Sequence, residues 1–256
     1  MGATTKIDWA DSTWSPVTGC FKNCEYCYAM NMVRRFGSSA MFTEAYIREI
    51  EMPELLTPVY SYTKSGSAIR NPYPHGFIPT LHRYLFDKPQ RWKKPRTVFA
   101  CSMADLFGDW IPDEWVEQVF QACAAAPQHR YMFLTKNPVR YNHLHDKGLL
   151  LDGKNYWYGS SVFKDQLFKV SLGHNVFLSV EPIMEDVSTN LFDNPIYYQH
   201  WVIVGSMTGP LAGKYPVKRE WIENLADDCK MRNIPIFMKE SLRGIMNEEL
   251  IQQFPW

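Results

Sequence analysis

GCFKNCEYCYA, residues 19–29, sets three thiols at Cys20, Cys24 and Cys27. The stretch before it, Thr13–Thr18, is apolar and rich in β-branched and aromatic residues and reads as a strand. The stretch after it, Cys27–Arg35, reads as a helix. The cysteines thus occupy the loop of a strand–loop–helix unit. The same unit recurs downstream. Candidate strands are Thr97–Ser102, Tyr131–Lys136, Tyr156–Val162, Asn175–Glu181, Trp201–Gly205 and Ile234–Lys239. Between them, Pro112–Ala126 opens with a proline suited to a first helical turn and aligns Trp115, Val116, Val119, Phe120 and Cys123 on one face. Lys218–Arg232 repeats the design with Trp221, Ile222, Leu225, Ala226 and Cys229. Strand then helix, several times over, predicts parallel strands with helices outside. The expected fold is α/β: a partial (β/α) TIM-like barrel of six or seven parallel strands in a single domain over 1–256. From about Gly37 to Pro95 proline, glycine and tyrosine are frequent and periodicity is weak. This segment reads as an insertion after the first helix, serving as a lid or a substrate-recognition element.

The chain has 256 residues, enough for one such domain, and 27 Lys and Arg balance 27 Asp and Glu. No global field draws it to nucleic acid or a membrane surface, so any polyanion contact would be local. No apolar run approaches the ~20 residues of a membrane span, and the N-terminus lacks the layout of a signal peptide. Lys6 stands where a myristoylation motif needs Ser or Thr. The expectation is a soluble, cytoplasmic protein with no membrane partner. Six cysteines in a chain of this length do not read as a disulfide framework. One basic run, KPQRWKKPR (residues 88–96), surrounds Trp92 with cations. It could bind phosphates and stack a base, although a solvated loop before a strand accounts for it as well.

Thiolates are the ligands of iron–sulfur clusters, and four irons normally take four cysteines. Three closely spaced thiolates leave one iron of a [4Fe–4S] cubane open. That iron can accept the amino and carboxylate groups of S-adenosylmethionine, and electron transfer into the sulfonium then yields a 5′-deoxyadenosyl radical. Zinc is the competing metal, because Cys24 and Cys27 form a CxxC half-site. A closed zinc site wants a second half, and no other Cys/Cys or Cys/His pair has suitable spacing. His143 and His145 stand without a cysteine neighbour.

The CxxxCxxC spacing, with aromatic Tyr26 just before the last cysteine, resembles the signature of the radical-SAM superfamily. ACSMADLFGDWIP (100–112), FLTKNP (133–138), YGSSV (158–162) and FLSVEPIM (177–184) resemble the strand-end motifs of its branch that includes spore photoproduct lyase, a DNA-repair enzyme. Together with KIDWADSTWSPVTGC (6–20) and WVIVGSMTG (201–209), the layout over most of the chain is still more similar to a three-cysteine family found in phages and bacteria. Where that family carries glycine–glycine–glutamate, this chain has Gly205, Ser206 and Met207, so that loop supplies no carboxylate.

The resemblance implies a cofactor cradle at the C-terminal ends of the strands. Ser102 and Asp105 would hydrogen-bond polar groups of S-adenosylmethionine. Lys136 would meet its carboxylate, Ser160 and Ser161 would supply hydroxyls near the ribose or carboxylate, and Glu181 would take ribose hydroxyls or the amino group. Each also has a structural explanation, as a turn, a solvated side chain or a strand cap. Tyr28 would shield the cluster; Arg34 and Arg35 read as surface residues. Cys101 is placed by the lyase resemblance as a hydrogen donor and by ordinary packing as a small core residue. Cys123 and Cys229 read as core. An external electron donor such as flavodoxin is implied, and a nucleobase or nucleic acid is the first substrate class to try. The alternative is a non-catalytic iron–sulfur or zinc-binding interaction protein.

Overall fold

Pro16 divides the first expected strand. Proline has no N–H to give to a ladder, and the run Thr13–Thr18 becomes two strands in two sheets. β1 (Ser12–Trp14) joins the main sheet, whereas β2 (Val17–Thr18) leaves for a smaller one. The computed structural model describes residues 5–34, 49–162, 174–188, 200–247 and 249–256. Arg35 and positions 37–48 of the expected insertion lie outside them. After α1 (Tyr28–Arg34), the described part of the insertion contains β3 (Glu54–Leu55), the antiparallel hairpin of β4 (Val59–Tyr62) and β5 (Ala68–Asn71), and β6 (Thr80–His82). β6 pairs antiparallel with β2 and parallel with β3, so the insertion is stitched to the strand that leads into the cysteines.

The main sheet adds β7 (Thr97–Ala100), β8 (Arg130–Thr135), β9 (Tyr156–Ser161), β10 (Asn175–Val180), β11 (Trp201–Val204) and β12 (Ile236–Met238). Its order is β1-β7-β8-β9-β10-β11-β12, every pair parallel. The sheet curls into a half-barrel, the partial TIM-like architecture expected. Helices α2 (Asp113–Ala124), α3 (Val139–Asp146) and α4 (Arg219–Met231) include both amphipathic helices expected, within two residues at each end. Pro112 precedes α2, and Asp113 and Glu114 set negative charge at its positive end.

Strand alternation sorts the side chains into two layers. Val98, Tyr131, Phe133, Tyr156 and Tyr158 pack outward with α2 residues Trp115, Val116, Val119, Phe120 and Cys123. Val202, Val204, Ile236 and Met238 pack with Ile222, Leu225 and Cys229 of α4. The concave face carries Phe99, Met132, Trp157, Phe177, Trp201, Ile203 and Phe237, joined by Trp9. The C-terminal tail closes the lower end of this layer: Trp201 donates its indole N–H to the Gln253 carbonyl (2.8 Å) and packs on Phe254 and Trp256.

Gly159 sits on β9 within this layer of aromatics. A Cβ there would lie 2.2 Å from Cζ of Phe177, a fully buried ring. Gly159→Ala is therefore expected to destabilise the fold by about 1–3 kcal/mol through overpacking, measured by denaturant unfolding. A midpoint equal to wild type would refute the packing argument. Among the described residues, no helix is long and apolar enough to cross a membrane.

Candidate active site

Gly19 fixes the entry to the cysteine loop. Its φ is +88°, and a Cβ would fall 2.4 Å from the Ile78 carbonyl oxygen, so any side chain would be both strained and obstructed. Its N–H donates to Met103 O (2.9 Å) and the N–H of Cys20 donates to Phe77 O (3.0 Å), which clamps the loop between the β7 end and the insertion. Cys27 N–H donates to Cys24 O (3.1 Å), a turn that leads directly into α1. The sulfur of Cys20 accepts from Lys22 N–H (3.4 Å) and that of Cys27 from Met30 N–H (3.3 Å).

Burial pushes the Cys20 thiol well above the ordinary range, followed by the Asp105 carboxylate and then by Cys27 and Cys24. Burial likewise raises Cys24, against a lowering contribution from Lys136. Burial thus favours the neutral thiol at Cys20 and Cys24, and a thiolate there needs a cationic centre to supply the compensation that solvent does not. Among the described residues no three His, Cys, Asp or Glu side chains form a group able to hold one metal ion. Three cysteine thiols on one short loop are the donor type that thiolate-bound clusters use.

Alternation along the strands decides which side chains reach the concave mouth above this loop. Lys136 continues the inward series of Met132, Ser161 that of Trp157, and Glu181 that of Phe177. A pocket of about 320 Å³ opens there, lined by Lys22, Cys24, Glu25, Tyr26, Lys136, Ser161, Met184 and Tyr215. Four residues expected from sequence therefore share one cavity: Cys24, Tyr26, Lys136 and Ser161. The Lys136 ammonium lies 5.9 Å from the Tyr26 ring centroid. Ser160 has the opposite parity, that of outward-facing Tyr158, and is 2% exposed. The serine pair is thus divided between the two faces.

Asp105 lies behind the pocket. It is 7% exposed, and its Oδ1 accepts from Thr135 Oγ1 (2.6 Å) and Phe107 N–H (3.2 Å) while Oδ2 accepts from Lys136 N–H (3.1 Å). It braces the ends of β7 and β8. The Ser102 and Ser15 hydroxyls share a hydrogen bond (3.3 Å), and the Ser102 carbonyl accepts from the Tyr28 hydroxyl. The Tyr28 ring is half exposed, and its hydroxyl is held above the ordinary phenol range, by desolvation first and then by the nearby Cys27 and Glu181. Cys101, in left-handed conformation at φ +55°, packs with the helix-side core. Burial pushes its thiol up to about 12.

Residues 4–248 match the family described as "Protein of unknown function (DUF5131)". The chain belongs to DUF5131. No curated protein matches it. Among solved structures, this DUF5131 chain is similar to a spore photoproduct lyase variant with bound AdoMet and dinucleoside spore photoproduct (TM-score 0.56, 11% identity), covering 93% of this chain and 78% of the other. It is similar also to a lyase complex with dinucleoside spore photoproduct (TM-score 0.55, 10% identity, the same coverage). At such identity the likeness is one of fold.

Two contacts of the DUF5131 chain escaped the sequence reading. Lys239, at the end of β12, pairs its ammonium with Glu181 Oε2 (2.6 Å), while Ser179 Oγ donates to Oε1 (3.2 Å). Gly205 leaves room for them: a Cβ would lie 3.0 Å from Lys239 Cδ and 3.5 Å from Glu181 Cγ. The inward register of Phe237 was the available signal for Lys239, two residues on. On the other side of the mouth, Lys214 and Tyr215 bind the two oxygens of Glu25 (2.5 and 3.1 Å), tying the loop after β11 to the cysteine loop. That contact joins positions far apart in the chain and has no local signature. The basic run 88–96, by contrast, ends at the opposite edge: Arg96 precedes β7 and donates to Ser12 Oγ at the start of β1 (2.8 Å). Trp92 there is already engaged by Lys88, Arg96 and the His129 ring.

Proposed function

We propose that the chain is a radical-SAM-type enzyme in which Cys20, Cys24 and Cys27 hold a [4Fe–4S] cluster and S-adenosylmethionine occupies the adjoining pocket. The observation that carries this reading is the shared cavity: Cys24 lines the same 320 Å³ space as Tyr26, Lys136 and Ser161, at the C-terminal ends of parallel strands. That volume is at the lower end of small-molecule sites. When bound, the cluster supplies an open iron and the electron that cleaves the sulfonium.

The chain's own residues bind and orient. The Lys136 ammonium meets the methionine carboxylate, and the Ser161 hydroxyl donates to carboxylate or ribose. Glu181, held by Lys239, accepts from ribose hydroxyls or the amino group. Ser102 offers backbone and hydroxyl groups beside Tyr28, whose ring shields the cluster. Asp105 and outward-facing Ser160 position these groups from behind, and Cys101 serves packing. An external reductant such as flavodoxin supplies the electron, and the substrate is a nucleobase or nucleic acid; the structural relatives are named with a bound dinucleoside spore photoproduct. The three-cysteine resemblance suggests a phage or bacterial setting.

Anaerobic reconstitution tests this directly. About four irons per chain, broad absorption near ~400 nm, and 5′-deoxyadenosine formed from S-adenosylmethionine and dithionite are expected. Stoichiometric zinc without iron would remove the enzyme reading. A cluster that never cleaves S-adenosylmethionine would favour a non-catalytic binding protein.

A further inference from the structure

Charge is distributed unevenly along this neutral chain. From Leu55 to Phe86 there is no Asp or Glu, and from Leu55 to Arg96 eight Lys and Arg face a single carboxylate, Asp87. The rest of the molecule is correspondingly acidic. Lys64 and Arg70 belong to the β4–β5 hairpin, and Arg70 lies near Lys88 of the segment between β6 and β7, so that hairpin and segment adjoin in one flank. Arg70 lies over the Tyr84 ring, 5.0 Å from its centroid, and Lys88 lies 5.5 Å from that of Trp92. Arg70 and Arg91 crowd Lys88 closely enough to lower its affinity for a proton, after the larger effect of burial. Arg83 pairs with Glu54 and Arg91 with Asp87. Among the described residues Lys64, Arg70 and Lys88 form no ion pair.

Two tyrosines stand beside these cations. Tyr60 and Tyr62 share one face of β4, where Tyr60 pairs across the hairpin with Arg70 and Tyr62 with Ala68. They are 53% and 76% exposed. Positions two apart on a strand are separated by about 7 Å, roughly twice the ~3.4 Å rise between stacked bases. Two rings at that spacing suit adjacent bases that have come apart, as they do in a single strand. The flank also leads to the site: beyond β5, the Tyr73 hydroxyl reaches Met32 Sδ on α1 (3.8 Å), the helix that follows Cys27.

We propose that this flank binds single-stranded nucleic acid, with Tyr60 and Tyr62 stacking bases and Lys64, Arg70 and Lys88 meeting phosphates. The inference deepens the function proposed above by naming the polymer that presents the reacting base. It rests on that reading for this last step alone, because binding needs no cluster.

Fluorescence anisotropy with a fluorescein-labelled single-stranded DNA of mixed sequence tests it at low salt. Wild type is expected to bind more tightly to this DNA than to its duplex. Tyr60→Ala with Tyr62→Ala is expected to weaken binding by roughly tenfold or more. Lys64→Glu with Arg70→Glu is expected to weaken it further and flatten the salt dependence by roughly 0.7 in log–log slope for each phosphate left without its cation. An unchanged melting temperature of the exposed variants Lys64→Glu and Tyr62→Ala shows that they are folded. Absence of binding by wild type, wild-type affinity in the variants, or preference for phosphatidylserine vesicles or polyglutamate over DNA would each overturn the proposal. Cleavage of S-adenosylmethionine without DNA, assayed on the same preparations, separates the two readings. Variants that lose DNA but retain cleavage support the flank, and DNA binding without cleavage in wild type removes only the enzyme reading.

Discussion

Cys24→Ala is expected to abolish formation of 5′-deoxyadenosine while leaving the fold intact. Of the three cysteines, Cys24 lines the pocket, so its loss acts where the cluster and S-adenosylmethionine are proposed to meet. Removing a ligand should exceed the roughly 10–100-fold cost of losing a group that only supports one; loss of all measurable turnover is the expectation. Stability should change little, because the loop is anchored elsewhere. Gly19 and Cys20 hold it through Met103 and Phe77, and the Cys24 carbonyl that accepts from Cys27 survives the substitution. Iron content, absorption and cleavage would be measured together after anaerobic reconstitution. Cys101→Ala is the informative companion, because that thiol packs on the helix side of the sheet and should leave iron and cleavage unchanged. Normal cleavage by Cys24→Ala would remove the cysteine loop from the mechanism.

Much of this arrangement was legible in the chain because the strands are buried on both faces. Such strands read as continuous apolar runs, so β7 to β12 appeared within two residues of their observed limits. The cysteine loop was legible for a different reason, since its three cysteines are close in sequence. Pairing between distant segments was not. The split at Pro16 carried a local warning, but nothing near β2 announced β6, about sixty residues away, as its partner. Orientation was the other gap. Ser160 and Ser161 look equivalent as letters, and only the register set by Trp157 and Tyr158 assigns one to the pocket and the other to the outer layer. Asp105 entered the expected cradle through the family resemblance alone, and no residue near it in sequence shows which groups its carboxylate meets. Its burial and three internal hydrogen bonds reveal a brace.

That brace leads to the second large effect. Asp105→Ala removes the acceptor for a threonine hydroxyl and two backbone N–H groups in a site that water barely enters. Each orphaned donor costs about 1–3 kcal/mol. Partial relaxation should bring the total to about 3–5 kcal/mol, the range in which a broken buried network falls. At about 2–4 °C per kcal/mol for a domain approaching this size, melting should fall by roughly 10 °C. The functional consequence runs through Lys136. Its backbone N–H is fixed by Asp105 Oδ2, so release of that bond frees the end of β8 and lets the ammonium leave its place beside Tyr26. In Asp105→Asn one carbonyl oxygen remains as acceptor, so stability should lie between wild type and alanine. For this variant KM for S-adenosylmethionine should rise more than kcat falls, because the residue positions a binding group and does not touch the reacting atoms. Thermal unfolding by circular dichroism, with cleavage kinetics on the asparagine variant, would decide it. An alanine variant that melts with wild type would show that Asp105 does not brace the strands. A fall in kcat at unchanged KM would show that it acts on the reaction itself.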